Sequence, residues 1–332
     1  MIQVHITEQF ASPEIYNNII GKISLFVGGP PCAPVFMAVM GYFLSSSERP
    51  FSYYLKRGLI LFAGGILLNV ARSANLLHYI FLGESIADPF FYIFGVDILP
   101  LAGLSIIVIG LLRFVFKRNY LFYFILAIII ALVSPFMQSP ETTTNFTSYL
   151  NAFFGGNFEW SYFPLFPWCA YILLGYAFRL FCEKYNFSAK YSLNHSLVLS
   201  IPLLAAAGLT INYASGISRD LNGADGYYHH GILFFGWMIM FMTGYIMLVH
   251  LIEENAGKQI ITRFIKWIGK NVTLIYIIQW IIIGNIATEI YQSQEKVSLV
   301  FWFLGVTATT CILAYLWEYI NCSFIKNKQK TL

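Results

Sequence analysis

Long, mostly apolar runs alternate with short polar segments along the whole chain. The runs cover residues 23–45, 57–76, 97–116, 119–137, 163–182, 197–214, 232–252, 266–290 and 298–322. A helix needs about 20 apolar residues to cross the hydrocarbon core, and each run reaches or approaches that length. Pro30, Pro31 and Pro34 crowd the start of the first, which is tolerated where neighbouring helices satisfy the freed backbone groups. The pattern predicts an all-α fold: a polytopic transmembrane helix bundle of nine full spans, forming one domain over residues 1–332. Residues 1–16 are too short to cross a bilayer. They read as the outer end of a first span whose inner half precedes Met1, or as a short interfacial helix. The first reading is preferred, because a tenth span also brings the N-terminus inside.

Composition narrows the class. Hydrophobic residues make up 58% of the 332 positions and charged residues 11%, against about 25% charged in an average soluble domain. So few charges cannot cover a soluble surface of this size. The numbers exclude a soluble enzyme, a disordered chain and a nucleic-acid module, and they make the lipid bilayer the first partner. Segments 46–57, 113–118, 179–190, 254–270 and 323–332 hold 16 of the 20 Lys and Arg residues. Lys22, Arg72, Arg219 and Lys296 lie on the opposite side, where the loops are acidic. The positive-inside rule places the 16, and with them the C-terminus, in the cytoplasm. The five Cys residues form no close CxxC pair and read as small apolar packing residues.

Few residues in such a chain can carry chemistry. His5 has Glu8 and Gln9 three and four positions on, hence on its own helix face. A carboxylate beside an imidazole fixes its tautomer and raises its basicity, as a general base requires; a polar helix end at the interface needs no function. Asp97 opens the run beginning Ile98, where an acid is costly unless hydrated or paired, although a helix N-terminus also favours an acid. Arg72 can hold a carboxylate or a polar sugar, or snorkel to the interface. Lys56 and Arg57 suit the phosphates of a cytoplasmic nucleotide-like donor, or simply set orientation. Tyr162 to Trp168 starts a span with two prolines and aromatic residues. His229 and His230 follow Asp220 and Asp225, but a His pair without a third ligand at helical spacing is a weak metal pattern, and no metal is expected. Asn271 and Thr273 are candidate caps for the run after them. Tyr276 and Gln279 share a helix face, and Gln279, inside an apolar run, must find a partner.

Several fragments, in order, resemble the integral membrane acyltransferases, first the heparan-α-glucosaminide N-acetyltransferase-like family with its bacterial members, then the acyltransferase-3 family. They are Ala33-Pro-Val-Phe-Met-Ala-Val-Met-Gly-Tyr-Phe43, Tyr54-Leu-Lys-Arg-Gly-Leu-Ile-Leu-Phe62, Val96-Asp-Ile-Leu-Pro-Leu-Ala-Gly-Leu-Ser105, Phe163-Pro-Leu-Phe-Pro-Trp168 and Gly269-Lys-Asn-Val-Thr-Leu-Ile-Tyr276. Each motif is loose; their order carries the resemblance. It implies transfer of an acetyl or other short acyl group from cytoplasmic acyl-CoA, acetyl-CoA in the first place, to a hydroxyl or amine of an envelope glycan or glycolipid. It implies no permanently bound cofactor. It also implies an essential histidine in or just after the first span, and His5 is the histidine in that position.

The expected roles follow. His5 takes the acceptor proton and Glu8 orients it. Asp97 completes the catalytic set. Lys56 and Arg57 hold the donor phosphates, and Arg72, Trp168 and Gln279 contact the acceptor. Direct transfer and a transient acyl-histidine are both open routes. The expected location is the bacterial cytoplasmic membrane, and a homo-oligomer is compatible with it. The rival class is an exporter of a glycan or small polar molecule, but the paired halves with matching broken helices common in transporters are not evident. The topology is testable by labelling single cysteines in a background lacking the native five. Reagent added outside is expected to reach a Cys near Thr143 or Gly223 and not one near Ser47 or Asn186; labelling at Ser47 overturns the orientation.

Overall fold

The computed structural model describes residues 1–137, 145–186, 193–214, 226–256 and 259–330, with side chains for all of these except 193–196, 254, 256 and 322–330. Thr143, Asp220, Gly223 and Asp225 lie outside the described residues. The helices in chain order are α1 (Ile2–Phe10), α2 (Pro13–Asn17), α3 (Ile19–Gly28), α4 (Ala33–Ser45), α5 (Phe51–Arg72), α6 (Ala74–Phe81), α7 (Pro89–Ile93) and α8 (Ile98–Phe116). They continue as α9 (Tyr120–Val133), α10 (Phe146–Ala152), α11 (Leu165–Lys184), α12 (Leu193–Leu209), α13 (Ile232–Ala256), α14 (Ile260–Lys270), α15 (Val272–Ile290) and α16 (Lys296–Lys330).

The fold is all-α and polytopic. Helical stretches long and apolar enough to cross a bilayer among the described residues are Ile19–Ser45, Phe51–Arg72, Ile98–Phe116, Tyr120–Met137, Leu165–Lys184, Ile232–Glu253, Val272–Ile290 and Lys296–Asn321. These eight correspond to eight of the nine predicted runs. The ninth, 197–214, contains the shorter apolar helix Leu197–Leu209, with Pro202 inside it. One boundary moves. The run at 266–290 begins its span only at Val272, because α14 is a separate helix ending at Lys270. Asn271 sits between them at φ −101° and ψ 16° and makes no side-chain cap for α15. Its Nδ2 donates instead to the Trp267 carbonyl at 3.2 Å, finishing the helix before it. The expected cap thus acts backwards.

The chain forms two compact units. The first contains 1–29, 70–87 and 253–332; the second contains 30–69 and 88–252. In the second unit, small residues let helices approach closely, the usual packing device in lipid. Gly41 of α4 faces the Ile172 carbonyl of α11, and Gly175 of α11 faces the Ala38 carbonyl of α4; a Cβ at either position collides with that backbone. Gly58 and Gly103 do the same for α5 and α8, and Gly65 lies against Pro100. The α8 entrance is covered by an aromatic cluster of Tyr149, Phe153, Phe158 and Trp160 around Val96, whose N–H donates to the Trp160 carbonyl at 2.7 Å.

In the first unit, α1 packs against α3, α15 and α16. Val4, Ile6 and Phe10 are buried, so residues 2–10 form a packed helix rather than a loose polar end. Replacing Gly41 or Gly175 by Leu is expected to lower the thermal unfolding midpoint in detergent, with an overpacking cost of about 1–3 kcal/mol. Gly64→Ala, which meets nothing within 4 Å, is expected to leave the midpoint unchanged or raise it slightly.

Candidate active site

The geometry of the first unit begins with how α1 is held. Gln3 Nε2 donates to the Ser24 carbonyl at 2.6 Å and to its hydroxyl at 2.8 Å, and the Thr7 and Ser24 hydroxyls are 2.7 Å apart. These contacts fix one side of α1 on α3. The end of α1 is tied by backbone bonds: Gln294 N donates to the Phe10 carbonyl, Ser12 N to the Gln294 carbonyl, and Gln292 N to the Gln9 carbonyl. Helical spacing then puts His5 and Glu8 together on the side away from Gln3 and Thr7.

On that side His5 meets α15. Its ring stacks on Trp280, with centroids 4.1 Å apart and planes 28° apart, and stands edge-on to Tyr276 at 6.2 Å. Its Nδ1 lies 2.9 Å from Gln279 Nε2. Tyr276, Gln279 and Trp280 have the i, i+3, i+4 spacing that aligns side chains on one helix face. Gln279 is fully buried, and its hydrogen bond to an imidazole is the partner that its place in an apolar span demands. The Arg72 guanidinium lies over the Trp280 ring, 4.7 Å from its centroid, a cation–π contact worth about 0.5–2 kcal/mol. Gly284 allows it: a Cβ there collides with the Arg72 carbonyl. The unit therefore brings His5, Gln279 and Arg72 into one constellation, linked through Trp280.

Two buried polar atoms of this constellation, Gln279 Oε1 and Trp280 Nε1, have no hydrogen-bond partner among the described residues. One is an acceptor and the other a donor, beside the imidazole, and such atoms are the places where a polar ligand or water gains most. The amide orientation also matters. With Nε2 toward His5, Gln279 donates and the ring proton sits on the far nitrogen. With the amide turned over, Oε1 accepts from Nδ1–H and His5 Nε2 is the unprotonated ring nitrogen. The second orientation is the one a general base uses.

The other predicted residues belong to the second unit. Lys56 and Arg57 are exposed on the second turn of α5, with Arg57 Nη1 donating to the Tyr53 hydroxyl at 3.2 Å. Asp97 is buried at the start of α8, where its Oδ1 accepts from Ile98 N at 2.7 Å. Trp168 is fully buried, and its indole N–H donates to the Tyr228 carbonyl at 2.8 Å. Beside it, His230 is buried with both ring nitrogens engaged: Nδ1 with the Tyr227 carbonyl at 2.8 Å and Nε2 with the Tyr171 hydroxyl at 2.7 Å. A carbonyl only accepts, so the proton is on Nδ1 and Tyr171 donates to Nε2.

Sequence reasoning missed three things here. Trp280 is readable only as the fourth residue after Tyr276. The Tyr171–His230 pair joins residues 59 apart. A polar group on the first unit links Asn75 and Tyr79 to Glu289 at 3.2 and 3.1 Å, and Asn75 N to the Asn285 side chain at 2.9 Å; its one signal is Asn285 within an apolar run.

Burial holds the His230 imidazole well below its ordinary value, at about 4, with His229 adding to the effect and the Tyr227 carbonyl opposing it. A depressed value means that the folded state refuses a proton the unfolded chain accepts. The stability this gives is present above about 6.5, is lost as pH falls towards about 4, and then levels off. The thermal midpoint is expected to fall across that window, and His230→Gln to flatten the dependence; equal slopes contradict the assignment.

Residues 1–213 match the family model for the catalytic domain of heparan-α-glucosaminide N-acetyltransferase. The matched stretch contains His5, Glu8, Lys56, Arg57, Arg72, Asp97 and Trp168, and ends before Gln279. No curated protein and no solved structure matches the chain. With nearly two thirds of its length covered, the chain belongs to the heparan-α-glucosaminide N-acetyltransferase catalytic-domain family.

Proposed function

We propose that this membrane acetyltransferase moves an acetyl group from cytoplasmic acetyl-CoA to an amine or hydroxyl of an envelope glycan or glycolipid, with His5 as the general base. The observation that carries the reading is the match of a catalytic acetyltransferase domain over a segment that includes His5, a histidine hydrogen-bonded to a buried Gln279. In this mechanism Gln279 accepts from His5 Nδ1–H and fixes the tautomer. His5 Nε2 takes the proton of the acceptor nitrogen or oxygen as that atom attacks the thioester carbonyl. The new C–N or C–O bond forms, the C–S bond breaks, and His5 returns its proton to the departing thiolate. Glu8, on the same face of α1, supports the imidazolium that forms in between. Arg72, held on Trp280, shapes the acceptor end. Lys56 and Arg57, exposed at the start of α5, supply charge for the donor phosphates. Such charge-assisted contacts favour binding without touching the reacting bond.

Coenzyme A release by purified protein, with and without amino-sugar and glycan acceptors, tests the reading. Acceptor-dependent release is expected, and its absence with every acceptor points to the transport alternative. His5→Ala is expected to lower turnover by about two to four orders of magnitude, the scale of general acid–base catalysis, with donor binding retained. Glu8→Gln gives an intermediate loss. Lys56→Ala with Arg57→Ala does the reverse, weakening donor binding with less effect on turnover at saturation. Full activity in folded His5→Ala protein removes His5 from the mechanism.

A further inference from the structure

α14 is unlike every spanning helix around it in sequence. It has no buried residue. Ile260, Ile261, Phe264 and Ile265 are 74%, 65%, 49% and 59% exposed, and at helical spacing they form one continuous side together with Ile268. Arg263, Lys266 and Lys270 occupy the opposite side and are exposed; the helix contains no acid. Lys266 pairs with Glu253 at 2.6 Å. Arg263 and Lys270 make no ion pair with any described residue. A helix apolar on one side and cationic on the other, with low overall hydrophobicity, lies in the plane of a membrane surface rather than across it.

Its position agrees with its chemistry. One residue, Asn271, separates α14 from the spanning helix α15, so α14 is held where the chain enters the bilayer. The Trp267 indole N–H donates to Glu318 of α16 at 2.8 Å, and Phe264 stacks near Trp267 with ring centroids 6.0 Å apart. Trp at this level is an interfacial anchor. The contact leaves the Ile260–Ile261–Ile265 side uncovered and Arg263 and Lys270 available.

We propose that α14 is a docking surface for an anionic lipid leaflet: its isoleucine side sits at the acyl boundary, and Arg263 and Lys270 bind anionic headgroups. Charge complementarity selects this occupant over a neutral lipid or a second copy of the chain, whose own α14 presents the same cations. The surface is independent of the acyl-transfer reading, because no residue in it is assigned to the reaction.

The test is hydrogen–deuterium exchange over residues 260–270 in the full-length protein, reconstituted in nanodiscs of phosphatidylcholine alone or with phosphatidylglycerol. Wild-type exchange is expected to slow when phosphatidylglycerol is present and to recover at high salt. R263Q/K270Q should lose that dependence, each charge accounting for about a fivefold weakening of the lipid interaction. I261D/I265D should speed exchange in both lipids, with unchanged exchange elsewhere showing that the protein is folded. Equal wild-type exchange in the two lipids overturns the proposal. So does a phosphatidylglycerol effect that survives R263Q/K270Q, or protection that tracks the number of protein copies per disc.

Discussion

The hydrocarbon core offers no hydrogen-bond partner, so every polar group that enters it must be met by another group of the protein. For the backbone this dictates helices. For side chains it is more selective. Gln279 is fully buried in an apolar span, and leaving a buried amide unpaired costs about 1–3 kcal/mol. The group that meets it is an imidazole 274 residues away in sequence, carried by a helix that is itself fastened by Ser24 and by backbone bonds to the 292–294 turn. Pairing and fastening together give His5 a fixed place. Stacking on Trp280 limits the rotational freedom of the ring, and the Arg72 guanidinium lies over the same indole. Preorganisation of this kind is what a reactive base requires.

The same constraint accounts for the second unit with different parts. Close backbone approach at Gly41, Gly58, Gly103 and Gly175 replaces the hydrophobic drive that lipid cannot supply. Asn69, buried in α5, donates to the Ile93 and Gly95 carbonyls, and His230 is closed between Tyr171 and Tyr227. A ring with both nitrogens engaged, as in His230, builds structure. Trp280 Nε1 and the Gln279 amide atom turned away from His5 have no hydrogen-bond partner among the described residues, and they lie around the one histidine assigned to chemistry.

The spans were legible because a run of about 20 apolar residues has few other uses. The start of α15 was misread because Ile260 to Ile268 are apolar enough to extend a span. Only their separation from Arg263, Lys266 and Lys270 around a helix, and the break at Asn271, mark α14 as a separate element. His5 and Gln279 could each be singled out, one by position and one by polarity, but their contact could not, since nothing in local spacing links residues 5 and 279. Trp168, grouped with the acceptor by resemblance, has its only polar atom committed to the Tyr228 carbonyl, so what it offers a ligand is its ring.

The central claim is that His5, set by Gln279, is the base. The pH dependence of kcat/KM for acceptor-dependent coenzyme A release, compared between wild type and Gln279→Glu, tests it most directly. The acid limb reports the essential base of the free enzyme, and a carboxylate placed against an imidazole favours its protonated form. The account predicts that the acid limb of Gln279→Glu moves to higher pH. An acid limb at the same pH in both proteins, with activity retained, contradicts it.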